Sequence, residues 1–135
     1  MHHHALYDTS PHITTQDPIH PGLHLPSSVM RFIDTPYFQR LRYLKQLGCT
    51  YFVYPGAQHT RLEHSMGVAY MAFQWASRVL NNYGSEADVE PRDVHLLMLA
   101  GALHDIGHGP FSHMFEQHLH DMGLQDWYVD HAVLL

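Results

Sequence analysis

The feature that most constrains the fold is an apolar stripe of helical period in the middle of the chain. From residue 62 to residue 80, apolar side chains recur at intervals of 4, 3, 4, 3 and 4 residues. These residues are Leu62, Met66, Ala69, Phe73, Ala76 and Leu80. Because this spacing follows one face of an α-helix, it predicts a long amphipathic helix that ends at "NNYG", residues 81–84. His64 lies outside the stripe.

Four more helices are predicted around this one, and the shortest covers residues 29–33. Residues 94–103 are apolar nearly all round, which is typical of a central helix covered on most sides. Thr35 suits the N-cap of a helix and Pro36 its first position, so a helix is predicted from there to Gly48. A further amphipathic helix is predicted over residues 112–120.

The other segments carry turn or strand signals. Residues 50–56, "TYFVYPG", are aromatic and β-branched and predict a short extended segment. The polar residues 84–93 predict a loop. Residues 1–27 contain four prolines and predict an irregular N-terminal arm or short strands, with residues 1–4 as a possible tag remnant. The sequence therefore predicts an all-α helical bundle over residues 28–135, with short extended segments near its start.

Composition excludes several classes of protein. With 135 residues, 45% of them apolar, the chain is long enough for one domain with a real core. No run is long enough to span a membrane and no signal peptide is recognisable, so we expect an intracellular protein of the nucleus or cytoplasm. The net charge of −6 and the scattered basic residues make extended nucleic-acid binding unexpected.

The polar cluster that follows the apolar helix predicts a metal site. The stretch "LAGALHDIGHGPFSH", residues 99–113, places His104 and Asp105 at the end of a buried helix. Imidazole and carboxylate together suit a divalent ion such as Zn, Mn or Fe, whereas Mg prefers more oxygen ligands. A third ligand could come from His64 or His59, with Arg61 near enough to contact an anion.

His108 and His113 follow on a glycine-rich turn. Since histidine titrates near neutral pH, their expected use is proton transfer or contact with phosphate. A structural alternative stays open at this point, because a hydrogen bond between His104 and Asp105 at a helix end needs no metal.

Long blocks of the sequence resemble one enzyme family. "HTRLEHSMGVAY", followed by "ALHDIGHGPFSHMFE", resembles the signature of the HD-domain metal phosphohydrolases. "IDTPYFQRLRYLKQLG" and "YPGAQHTRLEHSMGVAY" resemble the SAM-and-HD-domain deoxynucleoside triphosphate triphosphohydrolases in particular. The resemblance implies hydrolysis of a deoxynucleoside triphosphate (dNTP) to a deoxynucleoside and triphosphate, with a divalent metal (Mn, Fe, Zn or Mg) as cofactor.

The resemblance also implies roles for individual residues. As metal ligands it implies His64, His104 and Asp105. It implies that His108, His113 and Arg61 are catalytic groups or contact phosphate. It implies that the residues that bind the substrate are Gln46, Leu47, Arg61 and His113. As a second site, for a GTP or dGTP activator that accompanies homo-oligomer assembly, it implies Asp34, Gln39 and Arg42. Without the resemblance, Asp34 and Arg42 could equally form an ion pair on a helix surface.

The family has a fourth metal ligand, an aspartate well downstream of the HD pair, which this sequence does not contain in its motif context. We therefore expect the HD domain to be incomplete at its C-terminal end. Two alternatives to a dNTP triphosphohydrolase follow. One is a truncated, non-catalytic module that binds nucleotides or forms oligomers, and the other is an HD-type nucleotidase or phosphodiesterase.

Overall fold

The chain folds mainly into α-helices, with one small sheet near the N-terminus. The computed structural model describes residues 11–124, apart from the side chains of residues 85 and 87. In chain order the elements are strands β1 (His12–Thr15) and β2 (Leu23–Pro26), helices α1 (Ser27–Ile33) and α2 (Pro36–Gln39), 3-10 turns at Arg40–Tyr43 and Thr50–Phe52, and helices α3 (Arg61–Ala87), α4 (Pro91–Leu103) and α5 (His113–Asp121). The predicted all-α class is confirmed.

The N-terminal arm contains short strands, one of the two forms predicted for it. β1 and β2 pair in antiparallel register, and Asp17 closes the turn between them by accepting hydrogen bonds from the amides of residues 19 and 20. Gly22 takes the positive φ of 69° that leads into β2. Leu23 and Leu25 of β2 are fully buried, so the hairpin contributes to the core.

Helix α3 follows the predicted stripe but is longer than predicted. Four stripe residues are buried, namely Leu62, Met66, Ala69 and Phe73. The predicted end at "NNYG" is wrong, because the helix continues to Ala87 and Asp88 caps it in the left-handed conformation, φ 52°. Gly84 lies inside the last turns of the helix, with the side chain of Leu80 next to it.

Helix α4 was predicted to be covered on most sides, and this is wrong for the described residues. Val94, Met98 and Ala102 are buried on one face against the rest of the core. Leu96 and Leu97, however, are 48% and 51% exposed. The face that packs on α3 is therefore the buried one, and no element in residues 11–124 covers the other.

The helix predicted from Thr35 to Gly48 is only partly formed. Thr35 accepts a hydrogen bond from the Phe38 amide as a cap, but the α-helix ends at Gln39 and a 3-10 turn follows. Leu44 is extended, because its carbonyl accepts a hydrogen bond of 2.8 Å from the amide of Arg61. Pairing with the segment before α3 therefore replaces the last predicted turns.

The extended segment predicted over residues 50–56 is also wrong. The amides of residues 52–54 bond to carbonyls three or four positions back, which forms a 3-10 turn instead of a strand. The amphipathic helix predicted over residues 112–120 is present as α5. The described part of the chain contains no helix of the length and apolarity needed to cross a membrane, and the predicted intracellular location stays a prediction.

Helices α3 and α4 approach closely at Gly101. A Cβ atom built on Gly101 would lie 3.2 Å from a side-chain methyl group of Val68 and 3.3 Å from both the N and Cα atoms of Ala69. The two Ala69 atoms belong to the backbone, so no side-chain rotation moves them. Because His104 follows Gly101 by one helical turn, this contact fixes how near the end of α4 comes to the start of α3.

We expect Gly101→Val to lower the free energy of unfolding by about 1–3 kcal/mol, since the added side chain must displace the backbone of α3. Ala100→Val is the matched control, because it introduces the same side chain one position earlier, at an exposed site. Urea unfolding followed by circular dichroism measures both variants. Equal losses of stability in the two would contradict the close-approach interpretation.

Candidate metal centre

The start of α3 and the end of α4 bring three metal-binding side chains together. Nε2 of His64 lies 3.2 Å from Nε2 of His104 and 3.9 Å from Oδ2 of Asp105. Nε2 of His104 lies 3.5 Å from Oδ1 of Asp105. One ligand atom from each residue lies within 4.8 Å of the other two, which is close enough for a single ion. His59, the other sequence candidate, is exposed and is not part of this group.

The orientation of His104 suits metal binding. Its Nδ1 lies 2.7 Å from the carbonyl oxygen of Gly101, and because a carbonyl only accepts, Nδ1 carries the proton. In the neutral ring the lone pair is then on Nε2, which faces His64 and Asp105. Metal-binding histidines commonly have their second nitrogen held in this way. Two imidazoles and a carboxylate with this orientation fit a divalent ion.

Arg61 connects this cluster to the turn before α5. Its Nη1 donates to Oδ2 of Asp105 at 2.7 Å, and its Nη2 donates to Oγ of Ser112 at 3.0 Å. Arg61 and Asp105 are both buried, with 3% and 7% of their side chains exposed. The carboxylate thus has a permanent positive partner and keeps its other oxygen directed toward His104.

Ser112 contacts Arg61 and was not among the predicted site residues. Its hydroxyl accepts from Arg61 and lies 2.7 Å from the carbonyl oxygen of Gln46, to which it donates. Ser112 and Phe111 have positive φ angles of 53° and 62°, which are strained for residues with a side chain. No local pattern marks this residue, because both of its partners are distant in sequence.

A second group of titratable side chains lies on the turn and the first turn of α5. Nδ1 of His113 lies 2.7 Å from Oε2 of Glu116, and Nε2 of His108 lies 3.1 Å from Oε1 of the same carboxylate. The rings of the two histidines are 5.9 Å apart. Glu116 was not among the predicted site residues, although its position three residues after His113 places both on one helical face.

Arg40 holds the loop that carries His108. Its Nη2 donates to the carbonyl oxygens of Ile106 and His108 at 2.7 and 2.8 Å. The ring of Phe115 occupies the space that a side chain at position 109 would need, with a distance of 2.1 Å to the place of a Cβ atom. Packing against Phe115 therefore requires glycine at position 109.

The pKa values of two histidines are lowered from the usual 6.5. For His64 the main cause is burial, which opposes the charged ring, while Asp105 partly offsets it. For His108 the main cause is again burial, followed by the positive charge of Arg61. Both rings are therefore held in the neutral form that binds metal ions.

A cavity of about 690 Å³ opens beside His64. Its lining includes Asp17 and His20 from the turn between the strands, His59 from the segment before α3, and Glu63 from the first turn of α3. Because His64 also lines this cavity, the metal cluster can be reached from this side and is not sealed in the core.

Two predicted substrate residues, Gln46 and Leu47, follow Lys45, which pairs with Thr60 just before α3. Gln46 donates its amide to the carbonyl of His59, and its side-chain Oε1 is buried without a hydrogen-bond partner among the described residues. Leu47 is 47% exposed. An unpaired buried acceptor is costly, so a hydrogen-bond donor that reached this oxygen would be favoured.

The three residues predicted for an activator site line a second cavity of about 220 Å³, which shares Asp17 and Glu63 with the cavity beside His64. Gln39 donates to the carbonyl of Ile33 at 2.8 Å and accepts from Nε of Arg42 at 2.5 Å. Arg42 does not pair with Asp34, so the alternative of a surface ion pair between them is not formed. The three residues thus lie around one cavity, and a nucleotide site there stays a prediction.

Comparison with known proteins matches residues 61–134 to the HD domain. The chain belongs to the HD-domain family. It is 53% identical over 100 residues to the chicken (Gallus gallus) deoxynucleoside triphosphate triphosphohydrolase SAMHD1, and 52% identical over 100 residues to the human (Homo sapiens) protein of that name. Each match covers 74% of this chain and 16% of the relative.

A more distant relative extends the comparison beyond vertebrates. The Dictyostelium discoideum homolog of SAMHD1 is 45% identical over 107 residues, which is 79% of this chain and 21% of the relative. The chain thus spans between a sixth and about a fifth of the length of these relatives. In the HD domain described above, the matched part includes both helices that carry the metal cluster.

We expect Arg61→Met to lower the free energy of unfolding by about 3–5 kcal/mol in the presence of a chelator, because it leaves the buried Asp105 carboxylate without its partner. Arg78→Met is the control, since Arg78 is exposed on the same helix. Urea unfolding measures the two. A loss for Arg61→Met no larger than that for Arg78→Met would mean that the ion pair does not stabilise the fold.

We expect stability without metal to decrease as the pH falls below about 6.5. The unfolded chain takes up a proton at His108 there, whereas the folded chain, with its lowered pKa, does so only at lower pH. The contribution is complete above the unfolded pKa and is lost below it. His108→Gln removes this term, so its unfolding free energy should depend less on pH than that of the parent and of His118→Gln, a control on α5. A parallel pH dependence in all three proteins would refute the assignment.

Proposed function

We propose that this chain carries the metal-binding part of a phosphohydrolase that acts on dNTPs and releases triphosphate. The observation that supports it most is the convergence of His64, His104 and Asp105 at the junction of α3 and α4, in a chain that belongs to the HD-domain family. The relatives named dNTP triphosphohydrolases support the substrate class. We propose the same residues as ligands of a divalent metal, of which Mn, Fe, Zn and Mg are candidates.

When bound, such an ion lowers the pKa of a water ligand and polarises a phosphoryl oxygen. The side chains around it have complementary tasks. Arg61 fixes the Asp105 carboxylate, and its positive charge favours an anion nearby. His113, largely exposed and in contact with Glu116, is positioned to contact phosphate oxygens or to move a proton. We propose the same for His108 at its buried position.

For the nucleoside part of the substrate we propose Gln46 and Leu47. The unpaired Oε1 of Gln46 can accept a hydrogen bond from a sugar hydroxyl or a base, and the exposed Leu47 offers an apolar contact. Ser112 links the Gln46 carbonyl to Arg61. A shift of Gln46 on nucleoside binding would therefore also change the position of Arg61 and of its partner Asp105.

We also propose that Asp34, Gln39 and Arg42 form a separate nucleotide site for a GTP or dGTP activator, and that activation accompanies assembly of a homo-oligomer. The support is the cavity that these three residues share and the side-chain hydrogen bond from Arg42 to Gln39. This guanidinium keeps further N–H groups that could contact a phosphate.

The test is release of triphosphate from each of the four dNTPs by the purified 135-residue chain, with Mn²⁺ and with or without GTP. We expect triphosphate as the product, lost in His104→Ala together with bound metal, and retained in His118→Ala. His118 is the control because it is an exposed histidine outside both clusters.

Each other outcome assigns a different function. Release of single phosphate or of a cyclic-phosphate product would favour the nucleotidase or phosphodiesterase alternative. Bound metal and bound dNTP without any release would favour the non-catalytic nucleotide-binding module. Full metal content in His104→Ala would contradict the proposed ligand set itself.

A further inference from the structure

The turn before α5 exposes one large apolar side chain on a strained backbone. Phe111 is 60% exposed, although His108, Gly109 and Ser112 around it are buried. Its φ angle is 62°, and Ser112 follows with φ 53° and ψ −136°, angles that glycine adopts far more easily than residues with a side chain. Single exposed apolar residues are common on protein surfaces, but a positive φ at such a residue costs stability and concentrates at functional sites.

Contacts with the segment of Gln46 and Leu47 hold this strained turn in place. Oγ of Ser112 donates to the carbonyl oxygen of Gln46 at 2.7 Å. A Cβ atom built on Gly48 would lie 3.1 Å from the carbonyl oxygen of Phe111 and 3.7 Å from its Cα atom, so the two backbones are in direct contact. The Phe111 backbone therefore lies next to the segment for which nucleoside binding is proposed.

Arg61 connects the same turn to the metal cluster. It donates to Oγ of Ser112 at 3.0 Å and to Oδ2 of Asp105 at 2.7 Å. The residue that follows Phe111 is therefore joined by two successive hydrogen bonds to a proposed metal ligand. Phosphate binding at the cluster and nucleoside binding at residues 46–47 thus have this turn in common.

The groups on this side of the site suit a nucleoside. Gln46 has a buried Oε1 without a hydrogen-bond partner among the described residues, and Leu47 is 47% exposed. Phe111 adds an aromatic ring, on which no other aromatic ring stacks within residues 11–124. Every nucleobase has a flat face that stacks on aromatic side chains, whereas inorganic triphosphate has none.

We propose that Phe111 is a substrate-binding residue whose ring stacks on the base of the nucleotide. This inference rests on the proposed function and adds to it a residue that distinguishes a nucleotide from inorganic triphosphate. The ring takes no part in the chemistry. It contributes binding energy on the nucleoside side, while the metal cluster and Arg61 act on the phosphates.

Calorimetric titration of the 135-residue chain in the presence of Mn²⁺ tests the proposal with two probes. One probe is inorganic triphosphate. The other is a dATP analogue in which a methylene group replaces the 5′ oxygen, so that triphosphate cannot be released. We expect Phe111→Ala to weaken binding of the analogue by about 5-fold to 100-fold, the range for loss of one stack between a base and an aromatic ring, and to leave triphosphate binding unchanged.

Two variants serve as controls for the loss of an aromatic side chain. Phe111→Tyr keeps a ring at the position and should bind both probes like the parent. Trp75→Ala removes a side chain that is 61% exposed on α3, three helical turns from His64, and should also bind like the parent.

Phe111→Gly separates binding from stability. This variant lacks the ring and relieves the positive φ angle, so its midpoint of urea unfolding should equal or exceed that of the parent. Its binding of the analogue should nevertheless be as weak as that of Phe111→Ala. A residue that only stabilised the turn would lose both properties together.

The remaining outcomes overturn the inference in distinguishable ways. Equal affinity of the parent and Phe111→Ala for the analogue would refute stacking, and an equal loss for both probes would mean that the ring only supports the turn. If the parent binds triphosphate but not the analogue, the site does not recognise a nucleoside. If the parent binds neither probe, the proposed function fails together with this inference.

Discussion

The arrangement of the site depends on the buried ion pair between Arg61 and Asp105. Arg61 is the first residue of α3, and Asp105 follows the end of α4, so the pair joins the ends of two helices that contribute to the core. Two buried charges are stable only as partners. A displacement of either helix end would therefore expose one of the charges or separate it from its partner. This cost fixes the position of the Asp105 carboxylate next to His64 and His104.

The same guanidinium extends this constraint to the rest of the site. Through Ser112 it reaches the carbonyl of Gln46, so the metal cluster, the turn before α5 and the segment after the 3-10 turn share one hydrogen-bonded connection. The turn that makes this connection has strained, positive φ angles at Phe111 and Ser112. Strain of this kind persists only where surrounding contacts fix the backbone, and such positions concentrate at functional sites.

A backbone carbonyl orients one histidine of the metal cluster. The carbonyl oxygen of Gly101 lies 2.7 Å from Nδ1 of His104 and accepts its proton, so Nε2 of this ring faces His64 and Asp105. Burial is the main cause of the lowered pKa of His64, which favours the neutral ring. Geometry and electrostatics thus both favour the form in which imidazole binds a metal ion.

The sequence by itself determined the helical class, the stripe of α3 and the pairing of His104 with Asp105, because periodicity and adjacency are local properties. It also indicated that His64 and Arg61 belong with them. The roles of Ser112, Glu116 and Arg40 were decided only by tertiary structure, since their partners are defined by packing. The same holds for Leu44, which is extended because the amide of Arg61, far along the chain, donates a hydrogen bond to its carbonyl.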